Sequence, residues 1–416
     1  MATNQVQTLG SESINQRLVS EAEDAERRSR FPVGAALQFA DLEEAGREFR
    51  LDELREAEPV SWVPAIGGWL VTSREAAREM LLPKAGCSVQ ANENLVGASL
   101  GPMMLSTDDP EHRRLRHPFE APFRAREAEA RFRAFITAEV DTLIDAMLDG
   151  GSEAELLTQF AAPFAVHVAG EVIGLPLGEH GRIDSLYAAF AEGMVYDGDH
   201  QRRINADAAR VTLNETLTAQ LLQRRDNPDG SLTSEVLSND GGLSDDEIIA
   251  QLRVVMFGAI ETIQASVSNT LMFLLQHPQQ LADLVADASL IGGAIDESLR
   301  LMPPVAFIER WMSSDTEVGG VAIPAGEFIG ASIIAANRDP LTFDGPLTYD
   351  MRRQNARKGL AFSSGEHHCL GVHLARMQTA IALERLLTRI PAMQLIDVTP
   401  PAGFAFRRPD RLAVGW

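Results

Sequence analysis

The chain has 416 residues, 45% hydrophobic and 23% charged, enough to bury a large core. Its formal net charge of −22 excludes general nucleic-acid binding, because phosphate contacts need a basic face. The only cysteines, Cys87 and Cys369, are too few for a disulfide scaffold and fit an intracellular, reducing compartment.

Residues 1–30 are polar, lack apolar periodicity and read as a flexible N-terminal tail. Their start, MATNQVQTLGSESINQ, has neither the basic opening nor the apolar stretch of a signal peptide. No run of about 18 apolar residues marks a transmembrane helix, so a cytoplasmic protein without a membrane partner is expected. No repeat, low-complexity linker or composition shift divides residues 31–416, which read as one domain. VSWVPAIGGWLVTS (60–73) alternates around a Gly-Gly turn, a hairpin signal. DDPEHRRLRHPF (108–119) sets His112 and Arg116 four residues apart. It is either a solvated charge run or a helix face offering two donors to an anion.

Residues 125–148 carry apolar positions at helical spacing, as do 154–173 around Pro163. Residues 243–278 start with Ser244 as N-cap and three acids in the first turn, and stop at Pro278. The middle of this helix is apolar nearly all round, which predicts a buried course through the centre of the molecule. Glu261 and Thr262 stand there side by side, an expense unless satisfied or used. Two readings stay open. Glu261 pairs with an arginine while Thr262 bonds back to a carbonyl, or the two form a proton relay, with Gly258 and Ala259 making room for a ligand.

A further helix over 279–301 carries Glu297 and Arg300 on one face. Residues 317–337 read as strand, turn and strand. FSSGEHHCLGVHLAR (362–376) then crowds two histidines and Cys369 between glycines, at the entrance to a helix over 369–390. Helix N-termini stabilise thiolates, and a thiolate suits a soft metal centre. A buried structural cysteine and a cofactor ligand rank level here. A zinc site using His367, His368, Cys369 and His373 ranks behind them, for want of a second ligand pair, and a nucleophilic cysteine lacks a supporting sequence frame. The fold class is mainly α: a single large helical domain with a minor β part.

Together these segments resemble the cytochrome P-450 superfamily of haem-thiolate monooxygenases, in particular its soluble bacterial members. The resemblance runs from about residue 60 to the end. Phe362, Gly365, His367, Cys369 and Gly371 match the haem-binding signature without a gap, and Glu297/Arg300 match the Glu-x-x-Arg pair upstream. It implies a cytochrome P-450-like fold, with haem b between the long central helix and the cysteine loop. Residues 31–416 would be the catalytic domain and Cys369 the iron ligand. His112, Arg116, Arg310 and His367 would hold the haem propionates, and Glu261 and Thr262 would deliver protons for dioxygen activation. Val255, Met256, Ala259, Val305, Ala306 and Phe307 would line the substrate pocket, with loop 87–101 and the segment around 185–200.

Three positions depart from the family's habit: Ala259 where glycine is usual, Ser363-Ser364 after Phe362, and Thr348 where an arginine completes a triad with Glu297 and Arg300. Two readings stay open there: Arg352 or Arg353 substitutes, or the triad is incomplete. The chain ends soon after its last helix, so the expected electron donors are a separate acidic ferredoxin and ferredoxin reductase. They would dock on Arg113, Arg114, Arg352, Arg353, Arg357, Lys358 and Arg376. The expected activity is oxidation of a medium-sized, largely apolar or aromatic molecule in natural-product tailoring. Alternatives are oxidative C–C coupling, a peroxide-dependent reaction, or a haem-binding sensor without turnover.

Overall fold

The computed structural model describes residues 14–82, 86–91, 103–175, 183, 185–186 and 200–416. Among these, the helices that position the site are α1 (Glu21–Arg30), α2 (Glu111–Arg116), α3 (Ala125–Asp149), α4 (Ala162–Ile173), α5 (His200–Asp226), α6 (Asp245–Gln276), α7 (Ile291–Leu301) and α8 (Val372–Arg389). Helix α6 starts in a capping box, Ser244 and Glu247 each satisfying the other's backbone N–H. It packs against α4, α5, α7 and α8, and its residues Ile263–Met272 are all buried. By length and composition α6 could cross a membrane, yet 72% of its apolar window is buried inside the protein, as in a core helix.

The β part is small. Its main sheet has the order β1-β2-β5-β4-β3, formed by Val60–Val63, Gly68–Val71, Phe328–Ser332, Phe307–Met312 and Cys87–Ser88. β1 and β2 are the expected hairpin, its turn closed by Gly67 at φ 63°. The 317–337 stretch is more broken than expected: a tight hairpin (Thr316–Val318, Val321–Ile323), then β5, then a helical turn, Ile333–Ala336. The helix expected over 279–301 is also divided, into Pro278–Ala286, a 3₁₀ turn and α7. Asp287 breaks it, leaving helical geometry and accepting the Ser289 N–H with its carboxylate.

The expectation of a flexible tail over residues 1–30 needs correction where the structure describes it. Ser20 caps α1 in a box with Glu23, and Arg17 and Arg27 both pair with the buried carboxylate of Glu327. That carboxylate also accepts Trp69 Nε1–H at 2.7 Å, so the N-terminal segment is fastened to the sheet. Residues 1–13 lie outside the described residues.

Candidate active site

The loop ahead of α8 is built on two left-handed residues, Ser363 (φ 63°) and Gly365 (φ 75°). A side chain on Gly365 would run into the Leu81 carbonyl oxygen, so only glycine fits. Ser363 is the one non-glycine residue with positive φ among those described, which gives the Ser363-Ser364 departure a cost: a glycine's conformation imposed on a serine. The loop closes through Cys369 N–H donating to the Phe362 carbonyl (3.0 Å) and His368 N–H to that of Gly365 (3.1 Å). Cys369 precedes the N-cap, Gly371. Desolvation pushes its thiol up, opposed by the Gly371 N–H and the Arg116 charge.

His112 and His367 lie with ring centroids 4.3 Å apart, one from α2 and one from the loop. Both Nε2 atoms are buried without a hydrogen-bond partner. Burial, aided by Arg310, holds His367 down to about 2, and burial with Arg116 also lowers His112. Arg310 is buried as well, and burial lowers its guanidinium. Two open imidazole nitrogens and a buried guanidinium form a donor set that wants an anion. Arg116 is partly committed, donating to the His368 carbonyl (2.8 Å) and facing Glu120 at 3.4 Å.

In α6, Glu261 Oε1 accepts from Arg408 Nε at 2.9 Å, and Thr262 Oγ1 donates to the Gly258 carbonyl at 2.5 Å. Both contacts are those of the structural reading. They do not displace the relay reading, since a paired carboxylate and a back-bonded hydroxyl still hold acceptor capacity. Val255 and Ala259 are partly buried and pack with the core shared by Phe362 and Leu370 of the cysteine loop. Val305 is partly buried and bridges Phe406. The other three expected pocket residues are covered by protein. Met256 lies beside the face that Val255, Ala259 and Thr262 share and is 2% exposed. Phe307 turns into another core, against Phe404 at 4.3 Å, where the missing side chain of Gly330 leaves room for its ring. Ala306, 3% exposed, is covered too, its N–H bonded to the Ala405 carbonyl. Residues 92–101, and most of 185–200, lie outside the described residues.

Glu297 and Arg300 form a fully buried, two-pronged pair, with N–O distances of 2.7 Å. Arg353 adds a third member through Nε–Oε1 at 2.9 Å, standing in for the arginine that Thr348 replaces. Arg353 therefore does not belong to the expected docking patch. The rest of that patch is more paired than expected: Arg113 with Asp109, Arg114 with Glu111 and Glu247, Arg352 with Asp283, and Arg357 and Arg376 with Asp296. A cavity of about 390 Å³ beside the cysteine loop is lined by Arg74, Arg78, Arg357, Lys358, His368 and Arg376. Arg408, with no sequence motif around it, escaped sequence reasoning altogether.

Two open imidazole nitrogens, one of them on the loop that carries a thiol at a helix entrance, and a buried guanidinium are the groups that a dianionic cofactor with a thiolate-bound metal requires, which sets this fold and site among the haem-thiolate proteins. The chain belongs to the cytochrome P450 family. The family profile, "Cytochrome P450", matches residues 199–391. Cytochrome P450 107B1 of Saccharopolyspora erythraea is 33% identical over 380 residues, covering 86% of this chain and 91% of that protein. The cytochrome P450 monooxygenase PikC of Streptomyces venezuelae is 30% identical, covering 90% and 92%. Among solved structures, P450BioI in complex with an acyl carrier protein ligated to hexadec-9Z-enoic acid superposes with a TM-score of 0.83. It is 28% identical, with 89% of this chain and 98% of that one covered. This chain is a haem-thiolate monooxygenase with haem b as its cofactor.

Proposed function

We propose that Cys369 is the proximal iron ligand and that His112, Arg116, Arg310 and His367 hold the propionates. Phe362, Gly365 and Gly371 shape the loop that brings the haem face close. The observation that carries this reading is the pair of buried, unpartnered Nε2 atoms on His112 and His367 near a buried Arg310. A propionate there would satisfy both imidazoles and reverse the downward pull on them. The bound haem supplies the redox chemistry of dioxygen, and Glu261 and Thr262 supply its protons.

The substrate in this reading is a medium-sized, largely apolar or aromatic molecule taken from natural-product tailoring, with Val255, Ala259 and Val305 against it. Support comes from the apolar side chains at these positions. The electron donor is an acidic ferredoxin with its reductase, docking on the arginine-rich face beside the cysteine loop. Two cysteines that form no disulfide suit a cytoplasmic setting. The deciding experiment is the spectrum of the reduced, carbon-monoxide-bound protein. A strongly red-shifted Soret band that Cys369→Ala abolishes and Cys87→Ala leaves intact is expected; its absence from folded, haem-loaded protein refutes the ligand assignment.

A further inference from the structure

Contacts on both sides of the chain hold the segment around Arg408. On its N-terminal side, Phe406 packs edge-on against Phe257 of α6 (5.7 Å), and Ala405 accepts the Ala306 N–H at 2.8 Å. The adjoining Arg407 is buried, pairs with Glu48 at 2.9 Å, and gives its carbonyl to Asn269 of α6 at 3.0 Å. The segment is thus pinned to α6 and to the residues following α7, and it presents Arg408 to Glu261 one turn beyond Phe257. The contact is single-pronged, Nε to Oε1 at 2.9 Å, and Glu261 Oε2 has no protein partner among the described residues. Arg408 is also the only cation paired with Glu261 among them. Thr262 has already committed its one hydroxyl proton to the Gly258 carbonyl, so any proton it passes must first arrive at its oxygen. The aim of the neighbouring carboxylate therefore matters.

We propose that Arg408 is a positioning residue for proton delivery: it fixes the aim of Glu261 beside Thr262 and ties that acid to the C-terminal segment bridging Val305. The proposal rests on the reading of Glu261 and Thr262 as the relay. Removing the guanidinium frees the carboxylate to rotate, and small misplacements of a catalytic group are costly. Lysine keeps the charge but not the planar donor set, so it should restore the effect only in part.

The test needs no identified substrate. Haem-loaded protein is given dioxygen, NADPH and a plant-type ferredoxin with its reductase. Each dioxygen then leaves as peroxide, taking two electrons and two protons, or as two waters, taking four of each. Water formation demands the additional protons, so the peroxide share reports their delivery. Glu261→Gln should raise that share, and Arg408→Ala should raise it at least about twofold, with a matching change in the solvent isotope effect. The double variant should be no worse than Glu261→Gln alone. The carbon monoxide stretch of the reduced complex should shift in Arg408→Ala and partly return in Arg408→Lys. Should Arg408→Ala load haem poorly, Arg408→Gln serves in its place, and the same changes are expected. If Glu261→Gln departs from the parent while the arginine variants match it in peroxide share and stretch, the proposal is wrong and the relay stands. If Glu261→Gln itself matches the parent, the relay reading falls and takes the proposal with it.

Discussion

Arg353 Nε lies 2.9 Å from Glu297 Oε1, joining the buried Glu297–Arg300 pair into a three-residue network. Arg353 also donates to the carbonyls of Asp344 (2.6 Å), Gly345 (3.1 Å) and Thr348 (3.3 Å). The residue that departs from the family's habit, Thr348, thus contributes its backbone to the arginine that replaces it. Arg353→Ala leaves the Glu297–Arg300 pair intact but removes a charge-assisted hydrogen bond to Glu297 and the donors to these carbonyls, so it should cost about 2 kcal/mol, read as a fall in urea midpoint. Its neighbour Arg352 makes only an exposed pair with Asp283, and Arg352→Ala should cost under about 0.5 kcal/mol. Equal losses for the two would contradict the network.

The left-handed backbone at Ser363 sets up a second pair of variants. Ser363→Gly should relieve strain and raise stability by about 1 kcal/mol. Gly365→Ala should lower it by about 2 kcal/mol or more, because the added methyl meets the Leu81 carbonyl. Thermal unfolding of both apo and haem-loaded protein checks this, and a destabilised Ser363→Gly would overturn the strain argument.

How much of this was legible beforehand depended on whether the signal was local. The β1–β2 hairpin, the N-cap Ser244 and the signature loop are written in short stretches, and each stands where its residues indicate. The docked N-terminal segment was invisible because its partner, Glu327, lies about three hundred residues away and nothing near Arg17 or Arg27 points to it. Arg408 escaped for the same reason, its meaning residing in a contact 147 residues distant. That Phe307 turns toward Phe404 was equally hidden, because position along a motif says which residues are near a site but not which way they turn. The arginine cluster looked like a free patch because composition counts charges without their partners.

Cys87 should resist alkylation in the folded protein. Burial pushes the Cys87 thiol up to about 12, and its sulfur sits 3.6 Å from that of Met312. At pH 8 roughly one thiol in ten thousand would then be ionised, so iodoacetamide should leave Cys87 intact in the folded protein. Peptide mapping should find it alkylated once the chain is unfolded. Stoichiometric labelling of the folded protein would contradict the assignment.

Electron-donor docking can be weighed against the pairing seen in the patch. The Arg113 side chain is 79% exposed and, among the described residues, pairs only with Asp109, so Arg113→Glu reverses a charge without disturbing the core. With an acidic ferredoxin, that change should slow reduction several-fold at low salt and flatten its salt dependence in stopped-flow measurements. A reduction rate and salt slope equal to the parent's would move the docking site elsewhere.

The Glu327 junction also constrains how the chain is made. A ribosome adding about 5–20 residues per second needs on the order of 15–60 s to travel from Arg17 to Glu327. Until then, two arginines and the Trp69 indole N–H lack the carboxylate they finally share, and β2 lacks its parallel partner β5. The first seventy or so residues must therefore stay soluble while the rest is synthesised. The preponderance of acidic over basic side chains, with its mutual repulsion, is well suited to keeping so long a nascent segment from associating with its neighbours on a polysome.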